Sequence, residues 1–343
     1  MSNQTINSSQ PQRMLWVDQM RAFAIITVVI SHIFSFCIGG GNLSVISNYF
    51  ISFYMPLFFF ISGFVGYKKE YRQSFTMEVV TKARQLLLPT LVFFCLFEWL
   101  IADNWMEDLC HQSKGGYWFL IGLFYISCLY SAIRRLFIRY KIGDKFEDLL
   151  MIVVGSILVC LPVVYGIALH NGNNDPLSIT KLSFFVFFAL GAIVRKHYVS
   201  CLPFFSKSWV TCCIILVSFL GYAVFEKYDL CHGYVGLIST PVLSMACVLL
   251  SMEFFKRHED DVNHAIPHLK NIGTRTLDIY VIHWLLLPYG MDSIGGYFAT
   301  IDAHILYFLT GVLMATVVVA AAYLIGSIIR LSPLLARWTL GLK

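Results

Sequence analysis

The chain has 343 residues, 58% hydrophobic and 13% charged, with a mean hydropathy of +0.70. An ordinary soluble domain carries about a quarter charged residues, so this composition excludes one. The 16% aromatic content, including 29 Phe, argues against a fibrous or disordered chain, and the net charge of +5 is modest enough that no nucleic-acid partner is expected.

The first twelve residues, Met1 to Gln12, are polar and uncharged. They lack the basic start and short apolar core of a cleaved signal, so the first apolar segment is expected to stay in the membrane. A bilayer core takes about 20 apolar residues in a helix, with a range of roughly 17 to 25. On that template spans fall near 14–38, 45–66, 86–102, 117–137, 149–169, 181–195, 208–225, 233–254, 275–291 and 304–330. The expected fold is an all-α, polytopic transmembrane bundle of ten spans. Its transmembrane domain covers 14–330, between tails at 1–13 and 331–343.

Lys and Arg accumulate in cytoplasmic loops. With the N-terminus inside, the inner loops hold Lys68, Lys69, Arg72, Lys82, Arg84, Arg134, Arg135, Arg139, Lys141, Lys145, Arg195, Lys196, Lys207, Lys256, Arg257, Lys270 and Arg275. The outer loops carry only Lys114, Lys181 and Lys227, which predicts both termini inside a cell membrane. The ten cysteines contain no CxxC pair and no zinc-type Cys/His spacing, so they are read as small apolar packing residues and no metal is expected.

The first span holds an acid, a base and an imidazole: Asp18, Arg21 and His32. At about 100° per residue, Arg21 and His32 differ by three turns plus about 20°, and Asp18 falls about 40° short of four turns from His32. All three project from one face, with Arg21 and His32 about 16 Å apart along the axis. Ionisable groups within a span are costly, and they pair or line a cavity. An interfacial Asp18–Arg21 pair with a hydrogen-bonded core histidine is the structural alternative to a reactive stripe.

Further motifs follow in order. They are Tyr54-Met55-Pro56-Leu57-Phe58-Phe59-Phe60-Ile61-Ser62-Gly63-Phe64, then Gly116-Tyr117-Trp118-Phe119-Leu120, then Ile272-Gly273-Thr274-Arg275-Thr276-Leu277-Asp278-Ile279-Tyr280-Val281-Ile282-His283. With the Arg, ten residues, His arrangement of the first helix, this set resembles the acyltransferase-3 family of membrane-integrated acyltransferases. One departure concerns two basic residues three apart before a proline. Here Lys82-Ala83-Arg84-Gln85-Leu86-Leu87-Leu88-Pro89 puts Gln85 where the second would fall.

The resemblance implies a cytoplasmic acyl-CoA donor, acetyl on family grounds, bound as a substrate rather than a resident cofactor. It also implies a hydroxyl acceptor on an extracytoplasmic carbohydrate or glycolipid. Arg21, Lys82 and Arg84 are the expected donor-binding cations, since a guanidinium can engage two phosphate oxygens. His32 is the expected general base, with Arg21 in the catalytic set. Possible substrate contacts are Asp18, Ser62, Trp118 and His283. Ser62 lies in no GxSxG turn, so Ser62-Gly63 also fits close helix packing. Trp118 also fits an interfacial anchor, His283 a buried hydrogen bond, and Arg275–Asp278 a structural pair. A transporter using the stripe as its pathway, and a scaffold in which the stripe glues helices together, are the competing classes; oligomeric state is not legible.

Overall fold

The computed structural model describes residues 13–39, 44–169, 174–198, 216, 233–301 and 303–342. These form a helical bundle whose main members are α1 (Leu15–Phe36), α2 (Ser44–Gly66), α3 (Phe75–Ala102), α4 (Trp118–Arg139), α5 (Asp144–Val159), α6 (Phe185–Lys196), α7 (Gly233–Arg257), α8 (Leu269–Thr274), α9 (Thr276–Leu286), α10 (His304–Leu331) and α11 (Pro333–Thr339). The described residues contain no strand, only an isolated bridge between His111 and Asn174. Among the described residues, five helices are long and apolar enough to cross a bilayer: α1, α3, α4, the α5 stretch Asp144–Ile167, and Ile305–Leu331 of α10. The segments Phe53–Gly66 of α2 and α9 are apolar but shorter. The span expected near 208–225 lies outside the described residues, apart from the isolated Leu216.

α1 sits in the middle, packed by α2, α7, α8, α9 and α10. It is buried nearly all round, with Ala22, Ala24, Ile25, Val28, Val29 and Ile33 wholly enclosed. That is how its polar groups are kept from lipid. Close approach of α2 and α6 depends on two reciprocal glycines. A Cβ on Gly63 would lie 1.9 Å from the Phe188 carbonyl oxygen, and one on Gly191 would lie 2.0 Å from that of Phe60. Apolar helices gain little hydrophobic drive from meeting in lipid, so backbone contact through small residues is what holds such a pair. This is the role of the second half of the Ser62-Gly63 dipeptide.

α3 is interrupted by two wide π-turns, Ala83–Leu87 and Glu98–Ala102, the second ending in the left-handed residue Asp103 at φ 58°. An extra residue in a turn rotates everything beyond it about the axis, so positions counted on a regular α-helix no longer keep their faces. Both π-turns bear on the sites described below.

Candidate active site

The stripe on α1 is enclosed: Asp18 is 4% exposed and His32 8%. At its far end His32 meets His283 of α9. His32 Nδ1 lies 2.9 Å from His283 Nε2, and the two rings are within 9° of parallel. His283 is completely buried, and its Nδ1 lies 2.7 Å from the Tyr280 carbonyl oxygen and 3.1 Å from that of Ile279.

The order of these contacts fixes the protons. A carbonyl only accepts, so His283 Nδ1 carries hydrogen and donates it. Neutral His283 then offers a bare Nε2, and His32 Nδ1–H donates to that nitrogen. The chain Tyr280 carbonyl, His283, His32 leaves the lone pair of His32 on Nε2. No described residue hydrogen-bonds to that nitrogen. Trp284 covers the His32 ring at a centroid distance of 4.4 Å, and Phe36, itself half exposed, lies at 5.7 Å. His32 is therefore held in one tautomer with one nitrogen available, as a general base requires.

The Ile272-Gly273 motif sets the register of this pairing. A Cβ on Gly273 would lie 1.8 Å from the Asp18 carbonyl oxygen, so α8 can rest on α1 only because this residue has none. From that contact the chain runs beside α1 and brings His283 level with His32. α10 locks α9 in place: Arg330 Nε and Nη2 donate to Asp278 Oδ2 and Oδ1 at 2.6 and 2.7 Å, against 3.5 Å for Arg275 Nη1. Asp278 is thus structural, as its i,i+3 spacing suggested, but its closer partner is Arg330, 52 residues away.

At the other end of the stripe, Asp18 pairs with Arg13 at 2.5 Å and with Arg21 at 3.5 Å. Asp18 therefore orients Arg21. The guanidinium of Arg21 borders a cavity of about 310 Å³ that Ser62, Gln85, Thr274, Thr276 and Tyr280 also line, closed on one side by Leu340 and Leu342. Tyr280 joins the two ends, since its side chain lines the cavity while its carbonyl holds His283. A larger recess of about 390 Å³ between Ile26 and Thr316, Val319 and Tyr323 includes neither Arg21 nor His32.

The structure brings some of the expected residues together and separates others. Arg21 and Ser62 border one cavity, and His32 pairs with His283. His283 has both ring nitrogens occupied by protein, so its contact is with His32. Lys82 and Arg84 do not line the cavity; Gln85 does, carried there on the π-turn Ala83–Leu87. Arg84 leaves its Nε buried without a partner, and its carbonyl lies beneath Gly341, whose φ is +65°. Trp118 stands apart from the histidines, stacked with Phe184 at 5.5 Å beneath Lys181 Nζ at 4.6 Å. Sequence reading assigned no site role to Gln85, Tyr280 or Trp284: Gln85 stood out only as a departure from the family pattern, Tyr280 lay inside a quoted motif, and Trp284 stood just past its end.

The described residues thus form a lipid-compatible helical bundle with a buried His32–His283 pair toward one end of α1 and an arginine-bordered cavity toward the other. The model of the acyltransferase-3 family, described as an acyltransferase domain, matches residues 14–327, and the chain belongs to that family. It is also similar to the nodulation protein NolL of Mesorhizobium japonicum (strain LMG 29417 / CECT 9101 / MAFF 303099), with 33% identity over 144 residues. That match covers 38% of this chain and 38% of the relative. No solved structure matches the chain.

Proposed function

We propose that this acyltransferase moves an acyl group, acetyl in the simplest case, from cytoplasmic acyl-CoA to a hydroxyl of an extracytoplasmic carbohydrate. The observation that carries the reading is the His32–His283–Tyr280 hydrogen-bond chain, which holds His32 Nδ1 2.9 Å from His283 Nε2 and leaves the other nitrogen of His32, Nε2, free. In the reaction His32 Nε2 takes the proton of the acceptor hydroxyl as its oxygen attacks the thioester carbonyl. The tetrahedral intermediate collapses with cleavage of the C–S bond. The proton held on His32 passes to the departing thiolate, and coenzyme A and the ester are released.

The donor's phosphates sit at Arg21, with Lys82 and Arg84 contributing positive field, and Gln85, Thr274 and Thr276 offer neutral hydrogen bonds to the flexible arm. The carbonyl end then reaches past Tyr280 to the histidines. In this reading the domain 14–330 crosses a cell membrane ten times with both termini inside, which the charge bias of the loops supports. Purified protein in detergent should slowly hydrolyse acetyl-CoA, with thiol release as the readout, and His32→Ala should abolish it. Release that persists undiminished in His32→Ala would refute the assignment.

A further inference from the structure

We infer that the buried carboxyl of Glu98, the indole N–H of Trp284 and the Gly115-Gly116 turn between them form the acceptor subsite, where a carbohydrate hydroxyl next to the one acylated is held. This rests on the O-acyltransferase reading given above.

Glu98 has no exposed surface. Its Oε2 accepts the Asn104 N–H at 3.2 Å, but Oε1 is buried without a hydrogen-bond partner. The side chain beside it is another carboxyl, Asp108, and a hydrogen bond between the two needs a proton on one of them, so two ionised carboxylates would offer each other no donor. An acid enclosed in an apolar helix is costly unless something hydrogen-bonds to it, and such residues in spans mark substrate sites. Glu98 also opens the second π-turn of α3, a feature common at functional sites.

A second buried polar atom shares this condition. Trp284 Nε1 has no partner either, and it is a donor where Glu98 Oε1 is an acceptor. Both face the same turn. Glu98 Oε1 is 3.5 Å from where a Cβ on Gly115 would stand, and Trp284 Nε1 is 2.7 Å from where one on Gly116 would stand. The turn is unusual: Lys114, Gly115 and Gly116 have successive φ of +50°, +55° and +93°. Lys114 tolerates this because its ammonium is fixed by the carbonyls of Leu109, His111 and Asp175 at 2.7, 3.0 and 2.6 Å. Burial pushes its pKa below the usual lysine value.

A donor and an acceptor that lack partners suit hydroxyl groups, each of which both donates and accepts, and a flat indole suits the C–H face of a sugar ring. The placement fits the chemistry as well. The Trp284 ring contacts His32 on one side and the diglycine turn on the other, and Phe97, next to Glu98, meets its edge at 6.2 Å. A sugar ring lodged against the turn would place one hydroxyl on Glu98 and a neighbouring one toward His32. The carboxyls of Glu98 and Asp108 offer an anionic sugar no positive partner, so the recognised portion is neutral or cationic.

The test compares cells carrying the wild type, Glu98→Gln, Trp284→Phe or no copy of the chain, by mass spectrometry of acetyl esters on their envelope glycans. Each protein is also purified and titrated with coenzyme A. Glu98→Gln keeps the shape and the Asn104 bond but turns an NH₂ toward the subsite, while Trp284→Phe keeps the ring and removes the N–H. An NH₂ facing the hydroxyl donor loses that hydrogen bond and strands a buried donor, which predicts about a ten-fold fall in glycan acetyl ester for Glu98→Gln, with a smaller fall for Trp284→Phe. Coenzyme A binding in both should stay within about two-fold of wild type, because that cavity lies at the Arg21 end. Wild-type ester levels in Glu98→Gln, or loss of coenzyme A binding in step with the ester, would overturn the inference. Wild-type cells with no more ester than cells lacking the chain would instead bring down the functional reading on which it rests.

Discussion

Removing His283 tests the hydrogen-bond chain directly. In His283→Ala the Nδ1 of His32 loses the only side-chain acceptor that fixes its tautomer, at a site where His32 is 8% exposed and water has little access. A neutral hydrogen bond contributes about 0.5–1.5 kcal/mol net, and stranding a buried donor costs about 1–3 kcal/mol. If about 1–2 kcal/mol of that appears in the barrier, turnover falls about 5- to 30-fold. Loss of a general base itself removes about 10²–10⁴ in rate, so His32→Ala must be the more damaging change. Initial rates of thiol release from acetyl-CoA, with both variants and the wild type at saturating donor, give the comparison. Equal losses of several hundred-fold in both would mean that His283 is not merely a positioning residue. An unchanged rate in His283→Ala would mean that the 2.9 Å contact does not set the tautomer.

Three other outcomes follow from the geometry. Arg21→Ala should weaken coenzyme A binding about ten-fold or more by removing a charged hydrogen-bond donor, whereas His32→Ala should leave binding intact; equal loss in an isothermal titration would refute that division. Arg330→Ala strands Asp278, whose side chain is 1% exposed, and should destabilise the protein by about 3 kcal/mol, read as a lower midpoint in detergent thermal unfolding. The double replacement Asp278→Leu with Arg330→Met should recover much of that loss, because it removes the buried carboxylate together with its closer partner and leaves only Arg275, whose side chain is 27% exposed, to be solvated. Gly63→Ala forces a Cβ to within 1.9 Å of the Phe188 carbonyl oxygen and should cost about 1–3 kcal/mol by the same measurement, whereas Gly143→Ala, which meets nothing within 4 Å, serves as its control.

Much of this protein is written in local pattern. Apolar length alone places α1, α3, α4 and α10, because a helix in lipid must satisfy its own backbone and needs a fixed rise to cross. The common face of Asp18, Arg21 and His32 follows from the 3.6-residue period, and α1 remains regular through all three positions. No such count places the cations of α3: Lys82 and Arg84 are expected at the donor site from the resemblance and their charge, whereas Gln85, at the position where the family pattern has its second basic residue, lines the cavity on the π-turn Ala83–Leu87.

Partnership is what the period cannot supply. His32 finds His283 251 residues away, and Asp278 prefers Arg330 to the closer-numbered Arg275. Those choices depend on where Gly273, Gly63 and Gly191 let backbones touch, which is a property of two surfaces rather than one sequence. The sequence by itself determined the solvent, the helices and the face on which the reactive groups stand. Only the tertiary structure decided which nitrogen of His32 is free, because a tautomer is set by the partner opposite, and that partner is brought there by packing.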